Sequence, residues 1–257
     1  MMNNNPIGVY DSGFGGLSVW RELYRALPEE SIIYLGDGKN CPYGQKPAEE
    51  IRHLATKSVQ ELLSRGCKMI VVACNTATAA AIEHLRAMFP DLPFVGLEPA
   101  VKPACKSTRS GVVGVIATER SLKSEKFLAT LAKYGDGVEV IKAVGEGFVE
   151  AVEANAENCA STEQVVRAVV EPIIDRGADV LVLGCTHYPF LKDVIAKVVG
   201  ERNVEIIDSG EAVEKRVESL LDEYNLRAEV GHKAEYEFIS FADGDYEERL
   251  RRKAFSE

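Results

Sequence analysis

Two cysteines stand where this chain most readily supports chemistry. Residues 69–78 read MIVVACNTAT. The first half is an unbroken apolar, β-branched run suited to a strand covered on both faces, and a helix-forming Ala79-Ala80-Ala81-Ile82 follows the second. Cys74 and Asn75 therefore fall at a strand-to-helix turn, with Thr76 available near the helix cap. Residues 180–187, VLVLGCTH, repeat the arrangement around Cys185. A thiol has a pKa near about 8.5, which a helix N-terminus or a polar neighbour lowers toward neutrality. Two such thiols flanking one carbon form a two-base device: one removes a proton and the other returns one to the opposite face. Asp11 is a candidate helper for Cys74, and His187 for Cys185. Asn75, Thr76 and Thr186 offer donors at helix starts, suited to a substrate carboxylate.

The same residues admit other readings. A lone cysteine after a strand is commonly a small core residue, and a lone histidine a satisfied structural one. Cys74, Cys185 and His187 with Asp11 could ligate zinc if they converge, although neither turn carries a close ligand pair such as CxxC or HxxxH. Cys185 and His187 could also serve a Cys-dependent hydrolase. Cys41, Cys67, Cys105 and Cys159 are read as structural, and no CxxC pair suggests a disulfide framework or a structural zinc site.

The elements that must position these groups follow from periodicity. Residues 7–10 form a strand opening into Asp11-Ser12-Gly13-Phe14-Gly15-Gly16, followed by a helical pattern over 17–27. A strand over 31–36 empties into a long loop, 37–47, of the kind that is often functional. An amphipathic helix over 48–65 precedes the first cysteine strand. Strands are expected at 94–97, 111–116, 138–143, 180–183 and 204–207. Helices are expected at 100–107, 121–134, 161–176, 190–199 and 211–224, with an edge strand at 235–241 and a charged helix at 246–253. This alternation defines an α/β chain with mainly parallel sheets flanked by helices. The strand-Cys turn and an Asp-Ser-Gly turn, at Asp11 and Asp208, each occur twice. Two similar, pseudosymmetric lobes follow, with the active site expected in the cleft between them.

Composition narrows the partners. Hydrophobic residues make up 46% and charged residues 27% of the 257 residues, ordinary values for a globular protein. A net charge of −10 disfavours nucleic acid and anionic membrane surfaces. The polar, uncharged opening MMNNNP does not read as a signal peptide, and no apolar run has the length of a membrane span, so a cytoplasmic location is expected.

Taken together, DSGFGGLSV from Asp11, YLGD with PYG across 34–44, ACNTAT from Ala73, GLEPA from Gly96 and LGCTHYPFL from Leu183 resemble the glutamate racemase family of the cofactor-independent aspartate/glutamate racemases. The resemblance implies interconversion of L- and D-glutamate for peptidoglycan, with no cofactor and no metal, by a protein that is commonly a homodimer. It implies a first lobe of residues 1–97 and 210–257 and a second of 98–209. Cys74 would take the α-proton from D-glutamate, supported by Asp11. Cys185 would take it from L-glutamate, supported by His187 with Glu153. Ser12, Pro42, Tyr43, Gly44, Asn75, Thr76, Thr118, Ser121 and Thr186 match substrate-holding positions. The chain departs from the family pattern at Gly38, where Thr is usual, at Ser121, where Thr is common, and at Gly145, Glu146 and Glu150, near a usual Cys-Pro pair. Glu150 is therefore a rival to Glu153. Racemisation of aspartate or another acidic amino acid is the alternative within the superfamily.

Overall fold

The strand-helix alternation is realised in a computed structural model that describes residues 3–256. These fold as two units, one running to Leu97 and resuming at Gly210, the other spanning Glu98–Ser209. The first unit opens with β1 (Ile7–Asp11), α1 (Leu17–Ala26), β2 (Ile32–Gly36), α2 (Ala48–Ser64), β3 (Met69–Val72), α3 (Asn75–Met88) and β4 (Phe94–Gly96). The second contains α4 (Val101–Ser107), β5 (Val112–Ala117), α5 (Glu119–Lys123), α6 (Glu125–Tyr134) and β6 (Glu139–Val144). It continues through α7 (Phe148–Glu153), α8 (Ala160–Ile174), β7 (Val180–Gly184), α9 (Lys192–Val199) and β8 (Glu205–Ile207). The chain then returns to the first unit with α10 (Gly210–Glu223), β9 (Tyr236–Ser240) and α11 (Tyr246–Phe255).

Each unit is built on one sheet whose pairings among the described residues are all parallel. The strand orders are β4-β3-β1-β2-β9 and β6-β5-β7-β8. Without β9 the two orders are the same: β1, β2, β3 and β4 correspond to β5, β6, β7 and β8. In both sheets the chain steps to one side of the founding strand and then crosses to the other. The reversal leaves a crevice at the carboxyl ends of β1 and β3, and likewise of β5 and β7, the usual ligand position in open α/β sheets. Cys74 follows β3 and Cys185 follows β7, so the two thiols occupy topologically equivalent turns.

The apolar runs become strands because both of their faces are covered, and every residue of β1, β2, β3 and β7 is buried. Ile51, Val59 and Leu62 of α2 and Leu85 of α3 close over Leu35, Ile70 and Val72 in the first unit. Ala104 and Phe127 close over Val113, Val115, Val180 and Val182 in the second. Each such Val, Leu, Ile or Phe side chain contributes about 1.5–3 kcal/mol on burial. Two polar clusters also tie the sheets. Lys68, just before β3, forms a buried ion pair with Glu30 at 2.5 Å and also donates to Asn3 O. Asp179, just before β7, accepts from Thr108 Oγ1 at 2.5 Å and from the backbone N–H groups of Arg109 and Ser110. Burial alone would raise the Asp179 carboxyl, but these donors outweigh it and hold it at about 2. No helix among the described residues is long and apolar enough to cross a membrane.

Several expectations from the sequence are corrected. The single helix over 121–134 is two, α5 and α6, divided at Ser124, where Thr118 and Ser124 each accept the backbone N–H three residues on and so begin a helix. The helix expected from Phe190 starts as a 3-10 turn over Tyr188–Leu191, with Pro189 at its start, before α9. The Asp-Ser-Gly repeat is not part of the symmetry. Asp11 ends β1, whereas Asp208 follows β8, the counterpart of β4, and there pairs with Lys192 at 2.6 Å.

Candidate active site

In the first unit the crevice gathers Asp11, Ser12 and Cys74. β1 and β3 are neighbours, with Tyr10 opposite Val72, so the residues that follow them emerge side by side. Asp11 is fully buried, and its Oδ1 accepts from Gly13 N at 2.8 Å, which fixes the carboxylate within the glycine-rich turn. Ser12 Oγ stands 3.6 Å from Cys74 Sγ. The cap of α3, near which Thr76 stands, is Cys74 itself: its sulfur accepts from Ala77 N at 3.4 Å, leaving Asn75 and Thr76 inside the first turn of α3. A helix N-terminus favours negative charge there, which stabilises a thiolate. Asn75 Nδ2 is buried with no hydrogen-bond partner among the described residues, a donor left for a ligand.

The loop after β2 is held by a buried chain of polar groups. Tyr10 donates to Tyr43 Oη at 2.9 Å, and Tyr43 donates to Asp37 Oδ2 at 2.6 Å. Asn40 Nδ2 adds bonds of 2.9 and 3.0 Å to the same carboxylate, and Asp37 N donates to Asp11 O at 3.0 Å. Pro42, Tyr43 and Gly44 are thereby anchored to the strand that carries Asp11. Burial, then the neighbouring Cys74, raise the Tyr10 phenol well above its ordinary value. Burial, followed by Tyr10 and Asp37, does the same to Tyr43, so both remain proton donors. Sequence reasoning missed Tyr10 and Asp37, which read as core strand and loop. The aspartate of YLGD was the available signal.

In the second unit β7 delivers Cys185, Thr186 and His187, all buried. His187 Nδ1 is 3.8 Å from Cys185 Sγ, and its Nε2 is 2.7 Å from Glu153 Oε1. Glu153 ends the short helix α7, while Glu150, one turn earlier, is exposed. Of the two carboxylates, Glu153 is the one that meets the histidine. α7 is seated by Phe148, whose ring meets Tyr188 edge-on at 5.0 Å. Gly145 lets this happen: a Cβ there would lie 2.5 Å from Tyr188 Oη. Thr118 and Ser121 lie at the carboxyl end of β5, with Thr118 Oγ1 donating to Ser121 Oγ at 2.9 Å.

The remaining cysteines are distributed differently. Cys67 is buried, and burial, then Glu237, push its thiol up to about 12. Cys159 is exposed at the start of α8.

The Asp/Glu/Hydantoin racemase family model matches residues 12–216. The chain is 49% identical to the glutamate racemase of Ectopseudomonas mendocina over 223 residues, 87% of this chain and 84% of that protein. It resembles the crystal structure of Francisella tularensis glutamate racemase in complex with D-glutamate, with TM-score 0.83, 31% identity and coverage of 99% and 95%. It also resembles Escherichia coli glutamate racemase in complex with L-glutamate and the activator UDP-MurNAc-Ala, with TM-score 0.84, 30% identity and coverage of 97% and 95%. The chain belongs to the Asp/Glu/Hydantoin racemase family, a class of isomerases. Within it, high-coverage relatives group the chain with the glutamate racemases.

Proposed function

We propose that this protein interconverts L- and D-glutamate by proton transfer between the α-carbon and two thiols, Cys74 and Cys185. In the direction from D to L, the Cys74 thiolate removes the α-proton, and the electron pair left on carbon takes a proton from the Cys185 thiol on the opposite face. In the reverse direction the roles exchange. Asp11 supports Cys74, and His187 with Glu153 supports Cys185. Ser12, the Pro42-Tyr43-Gly44 backbone, Asn75, Thr76, Thr118, Ser121 and Thr186 hold the substrate's charged groups.

The observation that carries this reading is the repetition of one strand-Cys-helix turn at the same topological position of two sheets. Each thiol has a different polar companion, Ser12 for Cys74 and His187 for Cys185. Packing alone supplies no reason for both. The relatives bound to D-glutamate and to L-glutamate support the choice of substrate. A role in supplying D-glutamate for peptidoglycan, in the cytoplasm and as a homodimer, completes the proposal and rests on the family resemblance.

The direct test is racemisation in heavy water. Deuterium should enter the α-carbon of either enantiomer, and Cys74→Ser and Cys185→Ser should each abolish interconversion. Wild-type turnover in either variant would overturn the two-thiol mechanism, and a strong preference for aspartate would overturn the substrate.

A further inference from the structure

The first unit's substrate turns are covered by α11, the last helix of the described chain. Tyr246, its first residue, stacks on Phe14 of the glycine-rich turn with ring centroids 4.8 Å apart and planes 6° from parallel. The same ring lies against Gly38, the residue after Asp37. A Cβ at position 38 would stand 2.6 Å from Tyr246 Cε1 and closer still to Cζ, and its three nearest neighbours would all be atoms of that ring. Gly38 does not have the positive φ that would by itself call for glycine. Space for the ring is what excludes a side chain here.

The far end of α11 is fixed independently. Arg21 of α1 donates to Ala254 O at 3.2 Å, Lys253 O at 2.5 Å and Ser256 O at 2.7 Å, closing the helix C-terminus. The Arg249 guanidinium lies 5.1 Å from the Phe14 ring centre and 5.7 Å from that of Tyr246, adding cation–π attraction to the stack. One aromatic ring thus touches both turns that lead into the crevice. One turn carries Asp11 and Ser12, and the other begins the loop that ends in Pro42-Tyr43-Gly44.

We propose that Tyr246 is a positioning residue for glutamate: through Phe14 and Gly38 its ring sets the spacing of the two turns that hold the substrate in the first unit. This inference rests on the proposed racemase reading. Displacing a substrate-holding turn by about 1 Å can cost up to about 100-fold in rate. Tyr246→Ala should therefore lower kcat/KM for glutamate about tenfold, chiefly by raising KM, and Tyr246→Phe should restore it. Gly38→Ala should have a similar effect, because its Cβ drives the ring away.

The decisive variant combines the two. With the ring removed, a methyl group at position 38 has room, so Gly38→Ala should change KM less than about twofold in the Tyr246→Ala background. Independent, multiplying effects of the two substitutions would overturn the proposal. So would a wild-type KM in Tyr246→Ala accompanied only by a lower Tm, which would leave Tyr246 a stability residue. Amide hydrogen exchange over residues 36–46 gives a readout that does not depend on turnover: it should quicken in Tyr246→Ala, and unchanged protection there would also count against the proposal. Absence of racemisation by the wild type would instead overturn the functional reading, so the two failures are distinguishable.

Discussion

His187 Nε2 lies 2.7 Å from Glu153 Oε1, while the other ring nitrogen stands 3.8 Å from the Cys185 sulfur. An ionised Glu153 accepts a hydrogen bond from Nε2–H and so leaves Nδ1 as the acceptor that meets the thiol. Glu153→Gln removes the charge that selects this tautomer and stabilises a protonated imidazole. We expect kcat/KM to fall by about 10–100-fold, reaching only the lower end of the range of about 100–10,000-fold for a group that itself transfers the proton. Enantiomers have equal free energies in solution, so the fall must be equal in both directions, which circular dichroism assays started from either enantiomer will check. Glu150→Gln, at an exposed position, should leave kcat/KM within about twofold.

Tyr43 joins Tyr10 to Asp37 through two buried hydrogen bonds. Tyr43→Phe strands the Tyr10 hydroxyl and removes a donor from the Asp37 carboxylate, at a cost of about 1–3 kcal/mol. The loop it anchors includes the proposed substrate backbone at Pro42 and Gly44, so KM for glutamate should rise as well. Tyr10→Phe breaks only the first bond and should show a smaller effect of the same sign. Steady-state kinetics and urea denaturation of both variants will establish the order.

Lys68 and Glu30 are buried together, and Glu30 also accepts from Ala228 N. Removing one member leaves an uncompensated charge in the interior. Lys68→Met should destabilise the first unit by about 3–5 kcal/mol. The double substitution Lys68→Met/Glu30→Gln should cost less than Lys68→Met alone, because no charge is then left unpaired. Chemical denaturation of the three proteins tests this ordering.

Asp179 gives a pH signature in the second unit. Its carboxyl is held at about 2 in the folded state, below its unfolded value near about 3.9. The depressed value means that its contribution to stability is present above the unfolded pKa and lost as pH falls through the folded one. Asp179→Asn should lower Tm at pH 7, and the difference from wild type should shrink between about pH 4 and pH 2. Calorimetry across that range is the measurement. Asp179 precedes β7 at the end opposite Cys185, so glutamate turnover at neutral pH should be little affected.

The buried strands were legible because their covered faces impose continuous apolar runs, as MIVV at β3 and VLVLG at β7 show. Helix limits were less legible where a side chain decides them. Ser124 breaks the expected helix by capping a new one, and Cys74 caps α3 with a sulfur, which residue preferences do not reveal. At the candidate site, the placement of both cysteines after strands could be read from the local pattern. The partner of His187 could not, because Glu150 and Glu153 lie one turn apart on the same short helix, and only the seating of α7 through Phe148 and Tyr188 separates them. Tyr10 was hidden for a different reason: a strand residue that buries its ring reads as core, whatever its hydroxyl does.

The discontinuity of the first unit bears on how the chain matures during synthesis. The second unit is one uninterrupted segment, with every strand of its sheet available once β8 has left the ribosome. The first unit cannot complete its sheet at that stage, because β9, which pairs with β2, and the helix that seals Phe14 and Gly38 are made after the second unit. A nascent chain halted after β8 would therefore hold a finished second unit joined to an open-edged four-stranded sheet, with the edge of β2 exposed to other chains. Chaperone engagement during translation should concentrate on that edge until β9 arrives.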